Sequence, residues 1–396
     1  MNIDRIEILL LIAAVVAMLA RRFRFPYTVG LVLAGGAMAM LPFVPTFSMT
    51  KDLIFSTLLP PLIFEAAIFL PWAELRKEMP VVISMATIGL ILAATVTILG
   101  MHFLMGWPLI AATIFGTLIS ATDPVSVIAA FKESGVGGRL RLLIEAESLF
   151  NDGTAAVAFG IVLAIAGGAS VSPGSILIQI VLTVGGGIAC GATISMLLLY
   201  LAGKTTDRLI EITFTTIAAY GAFMLAEHLH LSGVLATLTA GIIIGNSHSL
   251  GSFSAKGRQS LEDFWEYLAF ASNSLIFLLI GIQETKQDFS SIWLTATAAI
   301  VLVIIGRAMA IYSISWLFSR GKRRVSFAHQ HIMFWGGLRG ALSLALALGL
   351  PADMPYREQI VSVVFAVVAF SVIVQGLTMV PLLRYFGELG RASPDK

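Results

Sequence analysis

Apolar stretches long enough to cross a membrane run through almost the whole chain. A helix needs about 20 apolar residues to cross the roughly 30 Å hydrocarbon layer of a bilayer, and shorter stretches cross when they are tilted or interrupted. Only 12% of the residues are charged and 58% are hydrophobic, whereas soluble domains carry about 25% charged residues. The sequence therefore predicts an all-α polytopic membrane protein. Its thirteen predicted segments are 3–20, 27–45, 52–71, 80–104, 107–131, 140–168, 173–202, 208–229, 231–246, 260–282, 290–318, 326–350 and 358–384.

The loops between these segments are short, and their basic residues are unevenly distributed. We predict one integral membrane domain over residues 1–385 and a short tail over residues 386–396. Nineteen of the 25 lysine and arginine residues fall in the loops, at the segment ends or in the tail on one side of the membrane. Because cytoplasmic loops are enriched in these residues, we expect an external N-terminus and a cytoplasmic C-terminus in a plasma (inner) membrane. The small net charge of +2, without a basic patch, favours lipid rather than nucleic acid as the surrounding partner.

Three acidic motifs interrupt otherwise apolar segments. They are PPLIFEAAIF with Glu65, SATDPVSV with Asp123, and EAESLFNDGTA with Asp152. A charged side chain at the bilayer centre costs about 2.5–3.5 kcal/mol or more, so such residues mark ion or proton pathways. The motifs predict that the protein moves a cation.

The fifth segment contains a helix-breaking step between Asp123 and Pro124. Proline removes a backbone donor and disfavours the α conformation of the preceding residue. Carbonyl groups near Ser120 and Thr122 therefore lose their helical partners. Irregular backbone at membrane depth is tolerated where it is buried or lines a cavity, and free carbonyls beside a carboxylate suit a small hard cation.

The twelfth segment is interrupted as well, because Gly336, Gly337 and Gly340 surround Arg339. Interrupted helices in corresponding parts of two halves indicate a transporter built from inverted repeats. We therefore predict two inverted six-helix repeats beside one extra helix, with the fifth and twelfth segments as broken, crossing helices.

The sixth segment presents two adjacent polar faces. Ser148 and Asp152 are four residues apart and share one face, while Glu147 and Asn151 share the neighbouring face. If the first face meets the interruption at Asp123, two carboxylates, a hydroxyl and a main-chain carbonyl come together. Such an all-oxygen set is the kind that hard cations prefer.

Buried charges in these segments need partners. Glu147 is costly alone, and Arg339 is its predicted counter-charge in a structural role. Arg307 lies deep in VIIGRAMAIY and is also given a structural role, with Glu65, Glu211 or a free carbonyl as its candidate partners.

The motifs together resemble those of a known family, the sodium/proton antiporters of the NhaP type, which are related to the animal plasma-membrane exchangers. The resemblance rests on LLPPLIFEAAIFLP, SATDPV, EAESLFNDGTA and GGLRGALSLAL, in this order over nearly the whole chain. It implies a homodimer in which each protomer has an interface domain and a core domain that carries the ion in an elevator-like movement. It also implies a role in pH and sodium homeostasis, no enzymatic activity, and no cofactor beside the transported Na⁺ and H⁺.

The same resemblance implies the binding positions. Glu65 would act nearby through water, and the Asn-Asp pair that ends in Asp152 resembles the electroneutral branch, which predicts 1:1 exchange. Asn151 and Pro124 are expected to support the site. The implied Na⁺ ligands are Asp152, Asp123, Ser148 and the main chain of Thr122.

Exchange would follow from competition at Asp152, which holds either a proton or a cation. We expect transport to fall at low pH, where protons outcompete sodium, and at high pH, where protons are scarce. Lithium and potassium are alternative cations, and a cation channel is an alternative function. Two aspartates also allow an intramembrane aspartyl protease, but Asp123 precedes proline and Asp152 follows Asn151, so the glycine-aspartate signature of such proteases is missing.

Overall fold

The computed structural model is built of α-helices. It describes residues 3–23, 25–40, 49–169, 172–247, 255–285, 289–321 and 323–389, and no β-strand occurs in these ranges. They contain fifteen helices: α1 (Ile3–Phe23), α2 (Tyr27–Ala39), α3 (Leu53–Ile68), α4 (Trp72–Phe103), α5 (Leu109–Leu118), α6 (Val125–Ser134), α7 (Gly138–Ala166), α8 (Pro173–Ala202), α9 (Arg208–His228), α10 (Gly233–Gly245), α11 (Ala255–Glu284), α12 (Phe289–Leu317), α13 (Phe327–Trp335), α14 (Ala341–Leu348) and α15 (Arg357–Tyr385). The all-α prediction is confirmed.

Several helices have the length and hydropathy that a bilayer crossing requires. Seven described helices, α4, α7, α8, α9, α11, α12 and α15, are long and apolar enough, and four shorter apolar helices are α2, α3, α5 and α10. They indicate a multi-pass membrane protein, while the number of thirteen crossings stays a prediction. The end of the second predicted segment, 41–45, and the last part of the predicted tail, 390–396, lie outside the described residues.

Local sequence signals determine where several helices begin. The side chain of Ser172 accepts from the N–H of Ser175 at α8, and that of Asp207 accepts from Leu209 at α9. Ser232 and Ser326 cap α10 and α13 in the same way. Each cap satisfies a backbone donor that has no partner within the helix.

The chain divides into two compact units that alternate along the sequence. Their boundaries fall within α3, α4, α7 and α11. The first unit comprises Met1–Ile54, Pro80–Asn151 and Ser274–Lys396, and the second comprises Phe55–Met79 and Asp152–Asn273.

In the second unit, α10 packs closely against α3, α8 and α9. A Cβ atom at Gly191 would overlap the backbone of Ala236, and one at Gly245 would overlap the backbone of Ile68. Glycine at these two positions therefore lets the helix backbones approach each other, as is common in membrane proteins.

The first unit contains both interrupted segments. The fifth predicted segment is split into α5 and α6, and the twelfth into α13 and α14. The N–H of Asp123 in the first interruption donates to the carbonyl oxygen of Leu338 in the second, at 2.8 Å. The two predicted interruptions are confirmed, and they lie side by side.

Candidate ion-binding site

The carboxylate of Asp123 lies at the beginning of two half-helices. Its Oδ1 accepts from the N–H of Val125 in α6 at 2.9 Å, and its Oδ2 accepts from the N–H of Ala341 in α14 at 3.4 Å. Pro124 is the N-cap of α6, and its supporting role at the ion site stays a prediction. Since unpaired N–H groups and the helix dipole make a helix N-terminus favourable for an anion, Asp123 stabilises both breaks.

Gly340 is packed directly against this carboxylate. A Cβ atom at position 340 would collide with the carboxylate of Asp123. Glycine is therefore required there for the two interruptions to come together.

The free carbonyl groups of the first interruption are used by side chains of the second. Nη1 of Arg339 donates to the carbonyl oxygens of Ser120 and Ala121, both at 2.9 Å. The Ser343 hydroxyl donates to the carbonyl of Leu118 at 2.9 Å. A positive charge thus lies at the C-terminal end of α5, where the helix dipole favours it.

The predicted hydroxyl and main-chain ligands lie together. The Ser148 hydroxyl on α7 donates to the main-chain carbonyl of Thr122, and Oγ1 of Thr122 lies 3.3 Å from Oγ of Ser148. Both residues are buried. Their contact brings α7 to the interruption that holds Asp123, as the spacing argument required.

The predicted partner of Glu147 was wrong. Its Oε1 and Oε2 accept from Nη1 and Nη2 of Arg307 at 2.7 and 2.9 Å, whereas Arg339 bonds the carbonyls of the first interruption. Arg307 also donates to the carbonyl of Met333 at 3.1 Å. That carbonyl lies in the last turn of α13, so the free-carbonyl candidate for Arg307 is confirmed and the acidic candidates Glu65 and Glu211 are replaced by Glu147.

Asn151 supports the ion pair from the next turn of α7. Its Nδ2 lies 3.3 Å from Oε1 of Glu147, and the Asn151 side chain is buried. Asn151 thus donates a hydrogen bond to the acid of the pair, and its supporting role at the ion site stays a prediction.

Two of the predicted residues belong to the second unit. Asp152 follows Asn151 on the continuous helix α7, one turn after Ser148, and Glu65 lies on α3. Both side chains are half-buried. Their approach to Asp123 stays a prediction.

Other residues of the first unit that hold the interruptions were missed from the sequence. The hydroxyl groups of Thr28 on α2 and Ser126 on α6 lie 2.7 Å apart and are buried. Gln375 on α15 donates from Nε2 to the carbonyl of Trp335 at the end of α13, at 3.1 Å. Polar residues inside apolar segments were the available signal, but such residues occur widely in this chain.

An all-helical, apolar fold with two adjacent interrupted helices and buried, paired charges at the breaks defines a polytopic secondary transporter. The family described as sodium/hydrogen exchanger, transmembrane, matches residues 9–385. The chain belongs to this family.

Curated relatives and a solved structure agree with this assignment. The chain is 37% identical to the Na⁺/H⁺ antiporter ApNhaP of Aphanothece halophytica over 98% of its own length and 76% of that protein. It is 33% identical to the Na⁺/H⁺ antiporter NhaH of Halobacillus aidingensis over 97% of each chain. The fold matches that of the sodium proton antiporter MjNhaP1 from Methanocaldococcus jannaschii with a TM-score of 0.80, at 18% identity, over 98% of this chain and 99% of that one.

Proposed function

We propose that the protein exchanges Na⁺ for H⁺ across a membrane, with one ion of each kind per cycle. Family membership and the activity named for the curated relatives support the reaction. The stoichiometry is supported by the charges around the two interruptions.

The observation that carries this proposal is the pairing of the fixed charges. Glu147 is paired with Arg307, and the carboxylate of Asp123 and the guanidinium of Arg339 each bind helix ends at the interruptions. These four groups sum to zero formal charge. The carboxylates that remain among the proposed site residues are those of Asp152 and Glu65. We assign the charge that a transported ion has to neutralise to Asp152, whose neighbour Asn151 is uncharged.

Competition at Asp152 would couple the two fluxes. A Na⁺ ion bound with the help of the Ser148 hydroxyl, the Thr122 carbonyl and Asp123, or a proton bound to Asp152, leaves the carboxylate neutralised. Only these loaded forms would cross at low cost, because a bare buried carboxylate is expensive. In the structure the Ser148 hydroxyl donates to the Thr122 carbonyl, and its oxygen keeps lone pairs with which it could bind sodium.

The remaining features of the proposal rest on the family resemblance. They are an elevator-like movement, a homodimer, a plasma (inner) membrane location with a cytoplasmic C-terminus, a contact of Glu65 through water, and a role in pH and sodium homeostasis. Lithium and potassium remain alternative cations because the same oxygen ligands suit each of them.

Coupled transport is tested in reconstituted vesicles that hold a pH gradient. Sodium, potassium or lithium chloride is added, and the collapse of the gradient is followed for the wild type, Asp152→Asn and Asp207→Asn. Asp207 is an exposed N-cap of α9, where asparagine caps equally well, so this variant should retain wild-type activity.

We expect sodium to collapse the gradient with the wild type and Asp207→Asn, and Asp152→Asn to lose the response. Activity retained by Asp152→Asn would refute the proposed role of this residue. Sodium flux without proton movement in the wild type would instead indicate a channel. Comparing sodium, potassium and lithium chloride in the same assay measures the cation selectivity.

A further inference from the structure

A small cavity in the first unit lies against the guanidinium group of Arg307. It has a volume of about 10 Å³ and is lined in part by Arg307, Gly337, Phe370, Ser371 and Gln375. A cavity of about this size holds one water molecule if it offers two to four polar partners.

Arg307 faces the cavity with one donor unused. Its Nη1 and Nη2 bond Glu147 and the carbonyl of Met333, but no described group accepts from its Nε, although Nε is buried. The whole residue is only 6% exposed. Leaving a donor of a buried charged group without an acceptor is costly, which favours an acceptor other than a protein group.

The guanidinium group of Arg307 packs directly against residue 337, and this close approach requires glycine. A Cβ atom there would lie 2.8 Å from Cζ of Arg307 and would also overlap Nε. Gly337 thus allows the guanidinium group to pass close to the backbone of the interruption, where both residues line the cavity.

Besides Arg307, the polar residues that line the cavity are Arg339 and two residues of a π-helical turn. This turn, Ser371–Gln375, is part of α15, and both of its end residues line the cavity and are buried. No hydrogen bond of the Ser371 hydroxyl to another described group is present. The Gln375 amide donates from Nε2 to the carbonyl of Trp335, which leaves its Oε1 as an acceptor. Such π-helical turns occur frequently at functional sites.

We propose that this cavity binds one water molecule, which accepts a hydrogen bond from Nε of Arg307 and donates to Ser371 and Gln375. The water would then have three partners, within the usual range for buried water. Ser371 and Gln375 become positioning residues, because the water completes the hydrogen bonds of the arginine that holds Glu147 in place. Glu147 in turn precedes Ser148 on α7. This last consequence rests on the proposed function, whereas the water site does not.

The site is tested by solving the structures of the wild type, Ser371→Val, Ser371→Ala and Ser315→Ala at a resolution that shows ordered water. Valine adds bulk at the cavity and removes the hydroxyl, while alanine removes only the hydroxyl. Ser315 is a buried serine of α12 that does not line the cavity, so Ser315→Ala is the matched control.

We expect density for one water within hydrogen-bond distance of Arg307 Nε in the wild type and Ser315→Ala, and none in Ser371→Val. An empty cavity in the wild type, or water that is unchanged in both Ser371 variants, overturns the proposal. If Ser371→Val does not fold, the structures of the wild type and Ser371→Ala test the site. Loss of the Ser371 hydroxyl as a partner should weaken the density of the water in Ser371→Ala relative to the wild type.

The positioning role is tested by sodium-dependent transport. We expect the apparent KM for Na⁺ of Ser371→Val to rise about threefold to tenfold, with a smaller change in the maximal rate. Loss of a group that orients a metal ligand typically lowers metal affinity about 10-fold to 100-fold, and a group that acts through a water should have an effect at or below the lower end of this range. An unchanged KM would reject the positioning role. If the wild type shows no exchange, the proposed function fails, but the structures still decide whether the water is bound.

Discussion

Both terminal nitrogens of Arg307 bond the two carboxylate oxygens of Glu147, at 2.7 and 2.9 Å. Only 7% and 2% of the two side chains are exposed. A pair with this geometry compensates the desolvation of both charges, whereas either charge alone would remain buried without compensation.

Glu147→Gln should therefore destabilise the protein strongly. Breaking a buried ion pair by removing one partner costs about 3–5 kcal/mol, and unfolding of the purified protein in detergent or lipid measures the loss. The control is Glu262→Gln, because Glu262 forms an exposed pair with Arg258 in which 45% of the arginine side chain is accessible. A loss of no more than about 1 kcal/mol is expected for that pair.

Removing both charges should be less harmful than removing one. We expect Glu147→Leu combined with Arg307→Met to regain much of the stability lost in Glu147→Gln, since no charge is then left unpaired. If the double variant is less stable than the single variant, hydrogen bonds such as that of Arg307 to Met333 dominate over the charges. Comparing the unfolding temperatures of Glu147→Gln and the double variant with that of the wild type separates these outcomes.

Gly340→Ala should disrupt the contact between the two interruptions. The added methyl group collides with the carboxylate of Asp123, so we expect a loss of about 1–3 kcal/mol in stability and loss of sodium-dependent proton exchange. The matched control is Gly160→Ala on α7, where a Cβ atom meets open space. Wild-type transport by Gly340→Ala would show that Asp123 can move without consequence.

The sequence was sufficient to predict the interruptions because their causes are local. The proline after Asp123 and the glycines around Arg339 interrupt a helix whatever the helix packs against. The four-residue spacing of Ser148 and Asp152 places both on one helix face by helix geometry alone. The contact between Ser148 and Thr122 was accordingly predicted from spacing and resemblance.

The choice between two arginines for Glu147 could not be made in the same way. Arg307 and Arg339 both lie in apolar segments, and which of them reaches Glu147 depends on how α7, α12 and the interruptions pack. Nor does a local pattern indicate the π-helical turn that begins at Ser371. These features depend on contacts between residues far apart in the sequence.

The hydrogen bond between Thr28 and Ser126 should position the half-helix that follows Asp123. Thr28→Val has nearly the same shape but leaves the Ser126 hydroxyl without this partner, which costs about 1–3 kcal/mol when the group is buried. Thr28→Ser keeps the hydroxyl and serves as the control. We expect Thr28→Val to lower both the unfolding temperature and the maximal exchange rate, and an equal effect of the two substitutions would assign the role to packing of the threonine methyl group.

Competition between sodium and protons should be visible in the kinetics of exchange. If both bind Asp152 exclusively, acidification of the sodium side raises the apparent KM for Na⁺, approaching about tenfold per pH unit once protons predominate, as linkage requires. Saturating sodium should restore the maximal rate on the acid side, because it displaces the proton. Measuring initial rates over a series of sodium concentrations at each pH distinguishes this from a channel, in which sodium flux is not coupled to proton flux. A KM that stays independent of pH from about 9 down to about 4, where aspartates ordinarily titrate, would contradict a shared site and leave Asp152 as a residue for only one of the two ions.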